Sequence, residues 1–352
     1  MVARMFIRRY RLRGPTSPVP THEYSTVDTH TAGMPTRVVV DGLTVPEGGS
    51  VRARRDSFAE TMDDVRRFLV CEPRGHRDMF AAVPVEPTEP DADVGLFFLD
   101  AAGYLDMCGH ATIGAITALV ETGRLDAPGP ITVETPAGLV ETRPHLEDGH
   151  VAEVTFENVP AAFCETRTIH AGIHDEVAVD LVSAGNVCGI VDPTAVDLSL
   201  SEAPASRIAD LGTALRDLVN EQGPVSDPIS GRDREVSILE FAATDAADGT
   251  ADDPGSGDVR HRTAVVFGDG AVDRSPCGTG TSARLTLRHH QDTLAVDEAF
   301  THVGPTGESF SGRVTDATEG RCRTAITGSA HVIGHHTFVR AATDPLDAFT
   351  LD

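Results

Sequence analysis

The chain has 352 residues, 40% of them apolar, which is enough for two cores at roughly 150 residues each. It carries 54 acidic residues against 29 basic ones, for a formal net charge of −25, and every basic residue is arginine. Such a balance would repel the phosphates of nucleic acid, and the lack of lysine excludes a pyridoxal Schiff base and a Walker A lysine.

The chain opens with a basic, then proline-rich arm over residues 1–21, which lacks the apolar core of a secretory signal and is left out of the fold. No apolar run reaches the roughly 18 residues of a membrane span, so the expected location is the cytoplasm. The acidic surface without lysine suits a salt-rich cytoplasm, as in halophiles, where screening offsets self-repulsion. "EYSTVDTHTAG" and "MPTRVVVDG" read as strands joined by a glycine turn. "SFAETMDDVRRFLVCEP" reads as an amphipathic helix with Ser57 as N-cap and Glu60 closing a capping box. Two strands follow, "DMFAAVPVEP" and "VGLFFLD", and then "HATIGAITALVETG", a helix apolar on most faces and therefore central. The next β-rich stretch, "ITVETPAGLVETRPHLEDGHVAEVTFENVP", carries the chain out of its first half.

In the second half, "VAVDLVSAGNVCGIVD" reads as a strand pair around a glycine turn, and "ASRIADLGTALRDLVNEQG" as an amphipathic helix. "VSILEFAAT" and "RTAVVFGDG" read as strands separated by the acidic loop "DAADGTADDPGSGD". "TSARLTLRHH" is a further helix, and three strands near Phe310, Thr327 and Phe338 end the chain. Each half thus runs from strands into a glycine-flanked cysteine, then a helix, then strands. The two stretches share Cys-Gly-x-x-Thr, "CGHAT" from Cys108 and "CGTGT" from Cys277, which suggests two similar halves that face each other. The expected domains are 22–150 with Cys108, completed by a C-terminal strand over 336–352, and 151–335 with Cys277.

Six irregularly spaced cysteines with no CxxC make neither a disulfide framework nor a usual zinc site. Cys71, Cys164 and Cys322 read as buried and inert. Cys108 and Cys277 differ, because each opens a helix. Helix starts have unpaired N–H groups and a positive dipole end, so they attract a carboxylate and should lower a thiol's pKa towards neutrality. Two such starts across a cleft could hold an amino acid's carboxylate and place its Cα between two sulfurs. One thiolate would take the Cα proton while the other thiol returned a proton to the opposite face. Other readings stay open: a lyase, an amino-acid binding protein, or a zinc enzyme using Cys108 and His110.

The stretches "VDTHTAGMPTRVVV", "CEPRGHRDMFAAV", "MCGHATIG" and "DRSPCGTGTSARL" resemble the proline racemase family, which also holds 4-hydroxyproline 2-epimerases and trans-3-hydroxyproline dehydratases. The resemblance implies an α+β, diaminopimelate-epimerase-like fold. In it, two similar α/β domains each wrap a sheet around a central helix, with the site in the cleft between them. It implies Cys108 and Cys277 as the acid–base pair, and backbone at Gly109, His110, Gly278 and Thr279 around the carboxylate. His110 and Asp273 would lie near the ring amine. It also implies no cofactor, no metal and a homodimer. Dehydratases usually carry threonine at the second cysteine, so Cys277 favours a racemase or epimerase of proline or hydroxyproline. Diaminopimelate epimerase itself has Gly-Asn-Gly after its first cysteine, where this chain has Gly-His. Val187 and Cys188 stand where family members usually have aromatics, and Ala111 where proline racemases often have asparagine. That smaller lining leans the substrate towards 4-hydroxyproline.

Overall fold

The computed structural model describes residues 21–172, 174–243 and 260–350. The basic arm and the acidic loop read from the sequence lie outside the described residues, apart from Thr21. Strands β1 (Thr21–Thr31) and β2 (Met34–Asp41) form an antiparallel hairpin. Its two turn residues, Ala32 and Gly33, both have positive φ, 49° and 91°, the twist that a two-residue hairpin needs.

Helices α1 (Val51–Thr61) and α2 (Asp63–Val70) follow, where the sequence suggested one helix starting at Ser57. The cap is instead Ser50, whose hydroxyl accepts the Ala53 N–H at 3.0 Å, and Ser57 lies inside α1. The run of arginines after Val51 hid the start, because only Val51 and Phe58 of α1 are buried. Met62 breaks the pair at φ −138°, ψ 23°. The chain continues through β3 (Phe80–Val85), β4 (Val94–Leu99), β5 (Tyr104–Leu105), the central helix α3 (Gly109–Glu121), β6 (Ile131–Thr135), β7 (Gly138–Glu147) and β8 (His150–Glu157).

The second half begins with β9 (Ala161–Ala171), β10 (His174–Ser183) and β11 (Val187–Val191), then helix α4 (Ala205–Glu221). The short pair β12 (Val225–Ser226) and β13 (Asp233–Arg234) precedes β14 (Ile238–Ala242), β15 (Arg260–Phe267) and β16 (Ala271–Val272). Helix α5 (Gly278–His290) is followed by β17 (Phe300–Val303), β18 (Ser309–Thr318), β19 (Arg321–Gly328) and β20 (Ala330–Ala341).

The halves mirror each other in construction. Helix α3 packs against β1, β2, β3, β7, β8 and β20, and α5 against β9, β10, β11, β14, β18 and β19. Both helices are buried nearly along their whole length, Gly109–Leu119 in α3 and Gly278–Arg288 in α5. One apolar core therefore holds residues of both central helices, while α1 with α2 and α4 cover separate outer cores.

Two pairings tie the halves. β19 pairs with β8, Ala325 opposite Glu157 through Gly328 opposite Val154. β20 then returns to pair with β1, from Thr31 opposite Ala330 to Thr21 opposite Ala341. The boundaries read from the sequence fall inside strands, 150/151 at the head of β8 and 335/336 within β20. No helix among the described residues is long and apolar enough to cross a membrane.

Candidate active site

The two central helices meet start to start. A methyl group added at Gly109 would lie 2.6 Å from the Gly278 Cα, and one added at Gly278 would lie 2.7 Å from the Gly109 Cα. Only residues without a Cβ let the two backbones approach this closely. The ring tip of Phe156 closes the contact from β8, at 2.9 and 3.0 Å from the same two positions. Cys108 is the N-cap of α3 and Cys277 the N-cap of α5, and both are buried in the shared core. The first N–H groups of each helix, at Gly109 and His110 and at Gly278 and Thr279, have no partner within their own helix.

The motif Asp-Arg-Ser-Pro-Cys builds the Cys277 corner by a ladder of local hydrogen bonds. Asp273 Oδ1 accepts the backbone N–H and the hydroxyl of Ser275, both at 2.8 Å. The Ser275 Oγ in turn accepts the Cys277 N–H at 3.1 Å. Pro276 has no N–H to satisfy. The ladder holds Cys277 at φ 64°, a left-handed conformation uncommon for a residue with a side chain. That turn aims the sulfur back at its own helix, where Sγ accepts the Gly280 N–H at 3.3 Å.

On the other side, Cys108 Sγ lies 3.5 Å from His110 Nδ1 and 3.9 Å from Nε2. The His110 ring stands edge-on to Phe80 with centroids 4.5 Å apart, and the Thr31 hydroxyl donates to its backbone carbonyl at 2.9 Å. Across the seam, His110 Nδ1 is 3.9 Å from Asp273 Oδ2, the carboxylate oxygen that Ser275 leaves free. All seven residues singled out in the sequence are thus brought to the meeting point of the two helices.

Burial governs their protonation. His110 is held down to about 3 by desolvation and is neutral. Asp273 is pushed up to about 6 by burial, against the hydrogen bonds from Ser275. From the sequence alone the helix starts are expected to lower both thiols. Burial instead pushes Cys108 and Cys277 well up, and the nearby Asp273 carboxylate adds to the rise. The helix dipole is a weaker effect than the loss of water around a charged sulfur.

Two cavities open along the seam beside β16. One of about 400 Å³ is lined by Arg77, Asp100 and Ala102 from the first half and by Phe267, Gly268 and Asp269 from the second. The other, about 320 Å³, reaches Asp273 itself and carries Asp78 and Arg274, whose side chains pair across the halves at 2.7 Å. Among the described residues no group of three or more His, Cys, Asp and Glu is arranged to hold a metal ion.

Sequence reasoning missed Asn186, which sits in the turn between β10 and β11. Its Nδ2 donates to the Met107 carbonyl at 3.0 Å and so ties the second half to the segment that presents Cys108. Val187 does not line the site. It belongs to the outer core under α4, while its neighbour Cys188 faces the shared core, because successive strand residues point to opposite faces. Asn186 stood in the quoted "SAGNVCGIV", but nothing in a turn sequence says which carbonyl an asparagine will reach.

Two halves, each with strands wrapped around a central helix and the two helices meeting start to start, have the diaminopimelate-epimerase-like architecture of mixed α and β structure. A crystal structure of a hydroxyproline epimerase from Agrobacterium vitis, with bound trans-4-hydroxy-L-proline, superposes with a TM-score of 0.83 at 26% identity, covering 94% of this chain and 96% of that one. The proline racemase family model matches residues 26–349, so the chain belongs to the proline racemase family. It is 39% identical over 331 residues to a 4-hydroxyproline 2-epimerase of Streptosporangium roseum, covering 92% of this chain and 96% of that protein. It is 37% identical over 328 residues to the proline racemase of Clostridioides difficile, covering 91% and 95%.

Proposed function

We propose that the protein inverts the Cα of proline or 4-hydroxyproline, with Cys108 and Cys277 as the two proton-transfer groups. The observation that carries this reading is the contact of the two cysteine-capped helix starts at Gly109 and Gly278. A carboxylate between them meets the free N–H groups of Gly109, His110, Gly278 and Thr279 at once. The ring ammonium of the substrate lies against the free oxygen of Asp273, and neutral His110 offers a hydrogen bond beside it. This pairing replaces the water that burial has taken from Asp273.

The chemistry then follows from position. The thiolate of one cysteine removes the Cα proton, and its S–H bond forms as the C–H bond breaks. The electron pair left on carbon spreads into the carboxylate, whose growing charge the helix N–H groups stabilise. The thiol on the other face then donates its proton to Cα, and the configuration is inverted. Two thiols exchange roles in the reverse direction. No step needs a lysine, which the chain does not have. A dehydratase needs an acid–base group on one face only, so the second cysteine counts against that alternative. We extend the reading to a homodimer in the cytoplasm; light scattering on purified protein tests the assembly.

Polarimetry on L-proline, trans-4-hydroxy-L-proline and trans-3-hydroxy-L-proline tests the reaction. Inversion of either of the first two is expected, with loss of activity in both Cys108→Ser and Cys277→Ser. Full activity in either variant, or formation of a pyrroline product alone, would overturn the reading.

A further inference from the structure

A second group of buried polar side chains adjoins Cys277, and the mechanism above makes no use of it. Strand β14 reads Ile-Leu-Glu-Phe-Ala, and all five residues are buried, Glu240 completely. A carboxylic acid in such a strand is expensive unless it is paired or neutral. Glu240 Oε1 accepts the Thr263 hydroxyl at 3.0 Å, and Oε2 lies 3.8 Å from the Cys188 sulfur on β11. His302, on β17 and also completely buried, brings Nε2 to 3.3 Å from Oε1.

The hydrogen-bond directions fix the imidazole. The Thr281 hydroxyl donates its one proton to the Cys277 carbonyl at 2.8 Å. At 3.0 Å from His302 Nδ1 it can therefore only accept, so Nδ1 carries the ring proton. Nε2 is then a bare lone pair, buried and without a hydrogen-bond partner, and it faces a carboxylate oxygen that is also an acceptor. One proton between the two atoms resolves the conflict.

The same carboxyl reaches the helix start. A methyl group at Gly280 would lie 2.9 Å from Glu240 Oε2 and 3.3 Å from the Cys277 Cβ. Gly280 is also the residue whose N–H holds the Cys277 sulfur, at 3.3 Å. We propose that Glu240 and His302 are positioning residues for Cys277: the pair stores one proton between Oε1 and Nε2, keeping Glu240 neutral while Cys277 is a thiolate. When that proton is lost, the carboxylate charge stands beside the helix start and suppresses the thiolate. This inference rests on reading Cys277 as a proton-transfer group.

The surrounding groups are consistent with a titration near neutrality. Burial pushes Glu240 up to about 7, against the opposing pull of Arg284 on α5, and burial drives His302 well below its ordinary value. Cys188 from β11, Thr263 from β15, Arg284 from α5, Cys277 at the α5 N-cap and His302 from β17 surround the carboxyl. His261 on β15 acts on His302 in turn.

The test is the pH dependence of iodoacetamide labelling at each cysteine, resolved by mass spectrometry in wild type, Glu240→Gln and Glu240→Leu. Both variants remove the charge, and glutamine also keeps a donor for Nε2. The midpoint for Cys277 is expected to fall by about one pH unit or more, while that of Cys108 stays put. An unchanged Cys277 midpoint in either folded variant overturns the proposal. In the wild type, 13C-labelled glutamate should show the infrared carbonyl band of an un-ionised acid at neutral pH, and its absence overturns the proposal even if neither variant folds. Cys277→Ser separates the two levels. Activity in that variant defeats the acid–base reading, whereas an inactive Cys277→Ser with an unmoved Cys277 midpoint in Glu240→Gln defeats only the role of Glu240.

Discussion

Changing Gly109 to alanine should open the site without unfolding the protein. The new Cβ would sit 2.6 Å from the Gly278 Cα and 2.9 Å from the Phe156 ring. Carbon atoms in contact prefer about 3.5–4.0 Å, so a relaxed structure needs the two helix starts to part by about 1 Å. The phenylalanine ring can swing aside, but the Gly278 backbone is fixed by its helix. Overpacking of this kind costs about 1–3 kcal/mol of stability, which a folded domain survives. The catalytic cost is larger in proportion. A displacement of about 1 Å between reacting groups lowers a rate by roughly 100-fold, because proton transfer depends on near-contact geometry. Polarimetric initial rates on Gly109→Ala should therefore show kcat reduced by about two orders of magnitude, with a thermal transition still present. Gly278→Ala should behave alike, since its Cβ would sit 2.7 Å from the Gly109 Cα and 3.0 Å from the same Phe156 ring. Gly129→Ala is the control, with no heavy atom within 4 Å of its added methyl. A Gly109→Ala enzyme that retains wild-type kcat would refute the claim that contact between the helix starts sets the geometry of the reaction.

Asp273 titrates at about 6 because burial raises it, so it is ionised above that pH and neutral below it. kcat/KM should then fall as pH drops through about 6, and Asp273→Asn should both lower kcat/KM and remove that acid limb. Arg37 makes a buried bidentate pair with Asp28, donates to the Leu69 and Arg74 carbonyls, and lies over the Phe338 ring. Arg37→Met strands the Asp28 charge and should cost about 3–5 kcal/mol in urea unfolding, part of which Asp28→Asn should restore in the double variant. Asn186→Ala leaves the Met107 carbonyl without its donor and should cost about 1–3 kcal/mol, together with a drop in kcat; unchanged stability and rate would show that the tie to the Cys108 segment is dispensable.

The parts of this protein that the sequence disclosed are those written in local chemistry. The cysteine–glycine corners at Cys108 and Cys277 declare helix starts and close approach. Nearly all-apolar α3 declares itself central, and the hairpin at Gly33 declares its turn. What stayed hidden depends on contacts distant in sequence. The start of α1 at Ser50 was masked because an arginine-rich turn carries no apolar rhythm until Phe58. The face that Val187 presents depends on the register of β11 between β10 and β14, which no local signal gives. Glu240 is one acidic residue among many in the sequence, and only the pairing of β14 with β15 and of β15 with β17 brings it to His302 beside the start of α5. The direction of the thiol shifts is likewise not legible in the sequence. A helix start can be read from a motif, but the degree of burial around it cannot.

The most direct measurement follows deuterium during the first turnovers of an L-substrate in D2O, by mass spectrometry of each separated stereoisomer. Two sulfurs on opposite faces predict one deuterium at Cα in the inverted product, while the remaining starting isomer stays unlabelled at early times. Early deuterium in the unreacted isomer, or inverted product that keeps its original hydrogen, would mean that a single group both removes and returns the proton, contradicting the two-thiol site.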